Sequence, residues 1–397
     1  MSPTSRPTAL VPAWRPGDAP VGLYVHVPFC RALCTYCAFA KGLYDRAQAD
    51  RWLRGLEQEA ARRAETAWTG RPVLDTLFLG GGTPSALAAG QWRRLGELLH
   101  ERFVFAPGLE FTSEANPESL TPEIAAAMRE IGVNRLSLGV QSLEPGELAL
   151  LGRIHGAVQV TRAVGIAREA GFDNLNLDLM YALPGQEIGT FRDTLDGVLT
   201  LGPDHLSAYC LGLEPGTELA RRVGAAELPA PEDETARDLY EHLVARTAGA
   251  GYGLYEISNF ARPGRACRHN LRYWRRRDVI GLGPSAHALL GGRRWVNPAP
   301  LEGWIDAYAT GPGPAPRAVP AAVGRFEWVF LHLRLAEGLD TRDFAAAWGE
   351  PFDTVYGPVA RPLVEAGLLV RDGDRLALAP DARFVSDAVF AEFAPGR

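Results

Sequence analysis

Leu23-Tyr-Val-His-Val-Pro-Phe-Cys30-Arg-Ala-Leu-Cys34-Thr-Tyr-Cys37-Ala-Phe39 sets three thiols, spaced C-x3-C-x2-C, directly behind a strand-like apolar run. Cysteine sulfurs are soft ligands suited to iron–sulfur iron. Three of them leave one iron of a [4Fe-4S] cube without a protein ligand and open to a small molecule. A zinc site would want a fourth ligand, for which His26 is the local candidate. Metal sites are therefore expected at Cys30, Cys34 and Cys37.

The rest of the composition narrows the setting. With 397 residues, 47% hydrophobic and 22% charged, the chain can bury a large core and divide into two domains. A net charge of −6 argues against a general nucleic-acid binder. No apolar run approaches a membrane span, and Met1–Pro20 has no continuous apolar signal segment. Five cysteines, three of them clustered, suit a reducing cytoplasm better than a disulfide framework. Peripheral contact with a membrane protein remains compatible with this composition.

Outward from the thiols, strand and helix alternate about six times. Strands are expected at 21–27, 73–79, 109–113, 135–140, 174–178 and 205–211. Helices are expected at about 50–68, 89–102, 121–130, 158–170, 190–201 and 232–247. Such alternation implies a parallel α/β fold. The thiols, the run Gly80-Gly81-Gly82-Thr83, Glu114, Gln141 and Asp178 all fall just beyond successive strand ends, which in a barrel converge on one mouth. The expected organisation is a disordered stretch 1–20, an incomplete (α/β)6 barrel 21–250, a barrel-closing segment 251–309, a linker 310–324, and a small domain 325–397. In that last part three helices precede a hairpin turning at Asp372-Gly373, a winged-helix-like order. Its many acidic residues argue against DNA binding and for a lid or docking role.

Chemistry is expected at the strand ends. Glycines 80–82 lack the lysine of a phosphate loop, but they let a backbone approach a ligand closely. Glu114, Gln141, Arg153 and Asp178 are polar groups whose burial is costly without a partner. Tyr24 and His26 share a strand face, beside the cluster loop. Tyr36 and Phe39 are expected to shield the thiols from water.

Several long motifs together carry a family resemblance. Tyr24-Val-His-Val-Pro-Phe-Cys30, Phe78-Leu-Gly-Gly-Gly-Thr-Pro-Ser85, Glu114-Ala-Asn-Pro117, Asn134-Arg-Leu-Ser-Leu-Gly-Val-Gln-Ser142, Leu151-Gly-Arg-Ile-His155, Asn176-Leu-Asp-Leu-Met-Tyr181 and Leu183-Pro-Gly-Gln186 resemble the oxygen-independent coproporphyrinogen III oxidase family, a branch of the radical S-adenosylmethionine (radical SAM) superfamily. The resemblance runs from about residue 21 to 390. It implies a [4Fe-4S] cluster whose open iron is chelated by SAM, with Tyr24, Tyr36, Gly81, Gly82, Thr83, Glu114, Gln141, Arg153 and Asp178 around that cofactor. Asp178 would hold the ribose.

Two departures set the chain apart from the oxidase. Only 29 residues precede Cys30, where the oxidase has a longer segment covering its substrate. Phe39 also stands where the oxidase has a fourth cysteine. With His269-Asn-Leu-Arg-Tyr-Trp274, these features resemble a haem-chaperone branch of the family. That resemblance implies haem as a further ligand, haem-accepting proteins as partners and a homodimer. Imidazole is a good haem ligand. His269 is the expected one, with Cys267 and His287 as competitors, and Arg272, Arg275, Arg276 and Arg277 are candidates for the propionates. The alternative function is a radical SAM enzyme: the oxidase itself, which converts propionates to vinyls, or a related methyltransferase or cyclopropanase. Whether the chain is an enzyme stays open on sequence grounds.

Overall fold

Six strands lie side by side in chain order, each parallel to the next: β1 (Val21–Val27), β2 (Val73–Gly81), β3 (Val104–Ala115), β4 (Arg135–Gln141), β5 (Leu175–Tyr181) and β6 (His205–Cys210). They are seen in a computed structural model that describes residues 14–396. The main helices between and after them are α1 (Arg46–Thr66), α2 (Ala89–Arg102), α3 (Pro122–Glu130), α4 (Ala157–Glu169), α5 (Ile188–Thr200) and α6 (Asp233–Gly249). Local signals start several of them. The Asp45 side chain accepts from the Gln48 amide at 2.9 Å, and Thr121 accepts from the Ile124 amide at 3.2 Å, with Pro122 in the first turn of α3.

Period two divides the strands between two environments. Leu23, Val25 and Val27 of β1, Leu74, Leu77 and Leu79 of β2, Leu136 and Leu138 of β4, and Leu175, Leu177 and Leu179 of β5 join one hydrophobic core with Trp52, Leu53 and Leu56 of α1 and Trp92 and Leu95 of α2. Each large apolar side chain so buried contributes about 1.5–3 kcal/mol. The alternate positions carry Tyr24, His26, Thr76, Glu114, Ser137, Asn176, Asp178, His205 and Ser207, which contact one another inside the barrel (below).

The segment after α6 flanks the parallel strands on both sides. Strands β7 (Gly253–Glu256) and β8 (Asn259–Ala261) add antiparallel beside β6. After α7 (Arg268–Trp274), β9 (Val279–Leu282) runs parallel beside β1, and β10 (His287–Leu290), β11 (Arg293–Val296) and β12 (Arg317–Ala318) continue antiparallel. The result is a 12-stranded arc with β12 and β7 at its edges. Between β11 and β12, α8 (Leu301–Ala309) packs on α1. A Cβ on Gly55 would sit 2.6 Å from the Trp304 ring, so α1 needs glycine there. Glu59 ties this corner together, accepting from the Gly283 amide (2.7 Å), Asn297 (2.6 Å) and the Trp304 indole (2.9 Å); burial pushes its carboxyl up to about 7.

The small C-terminal domain has its own core around Trp328, Phe344, Phe352 and Leu376. It contains α9 (Ala321–Leu333), α10 (Thr341–Trp348), α11 (Gly357–Glu365) and the hairpin of β13 (Leu369–Asp372) and β14 (Arg375–Leu378). This is the winged-helix-like order expected. Two boundaries differ from expectation. Residues 1–13 lie outside the described residues, but Trp14 belongs to the core, 2% exposed and bridged to Trp68, so the lead-in is structured from there on. The expected linker 310–324 includes β12 and the start of α9, because Arg317 and Ala318 find backbone partners on β11. No helix among the described residues is long and apolar enough to cross a membrane.

Candidate functional site

Cys30, Cys34 and Cys37 occupy the loop that leaves β1. The glycine run leaves β2 beside it: the Gly82 amide donates to Val27 O (2.8 Å) and the Thr83 amide to Phe29 O (2.6 Å). The contact is so close that a Cβ on Gly82 would fall 2.7 Å from both the Val27 and Phe29 carbonyl oxygens. Gly81 has φ +106°, and a Cβ there would lie 2.3 Å from the His26 ring. This leaves the Gly81 amide pointed at Glu114, whose Oε2 accepts it at 3.0 Å.

One short relay holds the sulfurs. Thr83 Oγ1 donates to Cys30 Sγ (3.5 Å) and accepts from Asn116 Nδ2 (3.0 Å). Asn116 Oδ1 accepts from Arg153 (2.8 Å), and the same guanidinium reaches Cys34 Sγ (3.5 Å) and Gly139 O (2.5 Å). Burial pushes the Cys30 thiol up to about 11, so metal binding there must displace a proton. Lys41, the one lysine of the chain, donates to Cys37 O.

The donor set fits a multi-iron cluster better than a single ion. The three free thiols are soft ligands, and a cube takes each thiolate on a different iron. His26 is no fourth ligand. Its Nε2 pairs with Ala40 O (2.7 Å) and its Nδ1 with the Tyr24 hydroxyl (3.0 Å).

Beyond the thiols the mouth carries two buried carboxyl groups, Glu114 and Asp178. Asp178 accepts from Ser137 (2.9 Å) and Asn176 (2.7 Å). Burial raises its pKa despite these donors. Glu114 is pushed up to about 8, first by burial and then by the Asp178 charge. Two carboxylates that repel each other in a partly closed space favour a cationic ligand. Gln141 lies buried with φ 67°, at the bulge between β4 and β5, and its amide nitrogen faces Gly139. Tyr36 is held by the small apolar cluster of Leu151, Met180, Leu183, Leu211 and Leu219.

Phe39 does not shield the thiols as expected: it is 70% exposed, with Leu33 at 50% and Leu43 at 61% around the same loop. A groove of about 450 Å³ runs there between Phe39, Leu43 and Leu301.

At the opposite ends of the strands, α7 plugs the barrel. Glu110 caps it, accepting from the Arg268 (3.0 Å) and His269 (2.9 Å) amides. His269 is 1% exposed. Its Nδ1 pairs with Thr76 (2.9 Å) and its Nε2 with the Tyr273 hydroxyl (3.3 Å). Burial and then the nearby Arg272 and Arg135 push it down to about 3. His269 therefore holds the plug, and it offers no free nitrogen. Cys267 is fully buried against Glu110, its thiol pushed up to about 12 by burial. Arg272 is spent on Asp75 and Pro20 O, Arg275 on Glu337 (3.1 Å), and Arg276 on Glu327 (3.2 Å). The C-terminal domain docks on the barrel through those glutamates and through Arg334–Glu256 (2.6 Å).

Sequence reasoning missed Asn116, Glu110 and the polar ladder Ser137, Asn176, Ser207 and His205. The ladder was present as alternation in Arg135-Leu-Ser-Leu, Leu175-Asn-Leu-Asp and His205-Leu-Ser-Ala.

Comparison with known proteins agrees with this geometry. The radical SAM superfamily profile matches residues 24–198, and the HemN C-terminal domain profile matches residues 322–385. Heme chaperone HemW of Mycobacterium tuberculosis is 40% identical over 94% of this chain and 94% of its own length. The chain belongs to the HemW family. A Bacillus subtilis member is 35% identical over 93% of this chain and 98% of its own. Coproporphyrinogen III oxidase HemN of Escherichia coli, a radical SAM enzyme, superposes with a TM-score of 0.83 at 27% identity, covering 95% and 90% of the two chains. The chain thus shares the oxidase's fold, C-terminal domain included, and the radical SAM superfamily implies a [4Fe-4S] cluster and SAM.

Proposed function

We propose that the protein is a haem chaperone, binding haem and a SAM-ligated [4Fe-4S] cluster and delivering haem to acceptor haem proteins. The observation that carries this is the near full-length identity to proteins named heme chaperones. Cys30, Cys34 and Cys37 hold the cluster, whose open iron supplies a docking point for SAM. Gly81, Gly82 and Thr83 present the backbone edge to SAM, Glu114 takes its cationic end, Arg153 its carboxylate, and Asp178 its ribose. Tyr24, Tyr36 and Gln141 line the same mouth. Thr83 and Arg153 also place donors at the Cys30 and Cys34 sulfurs, which favours the metal-binding thiolates. The exposed Leu33, Phe39 and Leu43 supply an apolar contact for a homodimer. Acceptors include cytoplasmic haem proteins and those at the inner face of the membrane.

The test is an anaerobic haem titration of cluster-reconstituted protein, followed by transfer to an apo-haem protein. Saturable binding near one haem per chain, with transfer, is expected; no specific binding refutes the proposal. The likeness to HemN favours a second reading, oxidative decarboxylation of coproporphyrinogen III. Vinyl products formed with SAM and a reductant would establish it.

A further inference from the structure

A cavity of about 300 Å³ lies where α7, the β9–β11 region and α9 of the C-terminal domain meet, lined by Trp274, Arg277, Val279, His287, Leu289 and Leu331 among others. We propose that this cavity is the haem site, with an imidazole nitrogen of His287 as the iron ligand and Arg277 at a propionate. The inference rests on the haem-chaperone reading above and moves the iron ligand away from His269.

The histidines of the chain are eight, and four of them, His26, His155, His205 and His269, have both ring nitrogens bonded. His332 spends Nδ1 on Trp328 O (2.7 Å) and stacks on the Trp328 ring. His100, His242 and His287 show no ring hydrogen bond among the described residues, and of these His287 lines this cavity. It is exposed, and its backbone is fixed by Gly281: a Cβ on that glycine would fall 2.2 Å from His287 O. This gives the Gly281-Leu-Gly-Pro-Ser-Ala-His287 stretch a purpose, since its glycines let β9 and β10 meet closely enough to present the ring.

The remaining lining suits a flat apolar ligand with acidic edges. Val279, Leu289 and Leu331 are apolar, and Trp274 adds an aromatic surface with Arg334 on it at 4.5 Å. The Trp274 indole N–H is buried without a partner, a donor that an acceptor could satisfy. Arg276 and Arg294 share Glu327, but the exposed Arg277 has no side-chain partner among the described residues. It is free for a carboxylate. A cavity of this size takes only part of a porphyrin face and leaves the rest accessible, which suits a protein that must release it. His269 acts at one remove, holding Tyr273, another lining residue, through its hydroxyl.

The test uses the full chain with its cluster, titrated anaerobically with haem and read by absorbance and resonance Raman. His287→Ala is expected to weaken binding about tenfold or more and to abolish the imidazole-ligation signature, and free imidazole should restore that signature. Leu289→Trp, which fills the cavity with His287 intact, should weaken binding as well. His269→Gln should keep the signature. Absence of haem binding by the unaltered protein would overturn the chaperone reading itself. Haem binding by the unaltered protein, together with an unchanged signature in His287→Ala or unchanged affinity in Leu289→Trp, would overturn only the assignment of this cavity. Loss of the signature in folded His269→Gln with retention in His287→Ala would return the ligand to His269.

Discussion

Replacing His269 by glutamine separates a ring locked in the plug from one that offers itself to iron. In the folded chain the ring is fully enclosed and pushed down to about 3. In the unfolded chain it titrates near its ordinary 6.5. A depressed histidine contributes stability that is present above the unfolded pKa and is lost as pH falls toward the folded one, because the unfolded chain takes up a proton the native state refuses. At pH 7.5 the uptake costs less than about 0.1 kcal/mol; at pH 5.5 it costs about 1.4 kcal/mol, from RT ln(1 + 10). Glutamine keeps a donor and an acceptor for Thr76 and Tyr273 but does not titrate. The stability gap between wild type and His269→Gln should therefore shrink by about 1.4 kcal/mol between pH 7.5 and 5.5. Urea unfolding followed by tryptophan fluorescence at both pH values, anaerobically, measures it, and comparing variants cancels titrations common to both. A gap that does not change with pH would mean that His269 titrates like a free histidine, and the plug assignment would fall.

Three further outcomes follow from the mouth and the lumen. Glu114, raised to about 8, must give up its proton to receive a cationic ligand. SAM affinity should therefore rise between pH 6 and 7.5 by up to about tenfold per unit, as read by equilibrium dialysis, and Glu114→Gln should flatten that rise. Gly81→Ala forces a Cβ to within 2.3 Å of His26 at φ +106°; it should cost about 2 kcal/mol or more, seen as a lowered thermal midpoint with loss of cluster retention. Haem affinity should differ between cluster-loaded and cluster-free protein, and haem should change cluster retention by the same factor. Equal affinities in the two forms would show the two ends of the barrel to be independent.

Most of the barrel was legible because its strands and helices are separated by strong local signals. β1 and α2 stand where their apolar spacing placed them, and Thr121-Pro122 and Gly171 mark helix ends through cap and turn chemistry. The thiols and the glycine run were legible because soft ligands and close backbone approach have few substitutes. What escaped depends on partners far away in the chain. Glu110 looks like a surface carboxylate until α7, some 160 residues later, sets its first amides on it. His269 looks like a ligand until Thr76 and Tyr273 occupy both nitrogens. Phe39 looks like a shield, but nothing in the described chain covers its side of the cluster loop. The short helices Pro145–Leu150 and Glu218–Gly224 were missed because one or two turns carry too little periodicity to stand out from a loop.

The polar lumen accounts for the division of labour between the two ends. A closed eight-stranded barrel fills its interior with layers of branched apolar side chains, but here the inward positions carry Thr76, Glu114, Ser137, Asn176, Asp178 and Ser207. Such groups must be paired or they cost more than they return. At the lower end α7 does the pairing, by presenting amides to Glu110 and an imidazole to Thr76. At the upper end no equivalent plug exists among the described residues, and Glu114 and Asp178 are left to repel each other beside the thiols. Between the two, Ala40 O, His26 and Tyr24 form one hydrogen-bonded run from the cluster loop. Tyr273, His269 and Thr76 form another, and Tyr273 adds to burial and to Glu114 in raising the pKa of Tyr24. Tyr273 also lines the cavity that holds His287. The polar run from the cluster loop and the run from α7 thus approach each other at Tyr24 and Tyr273.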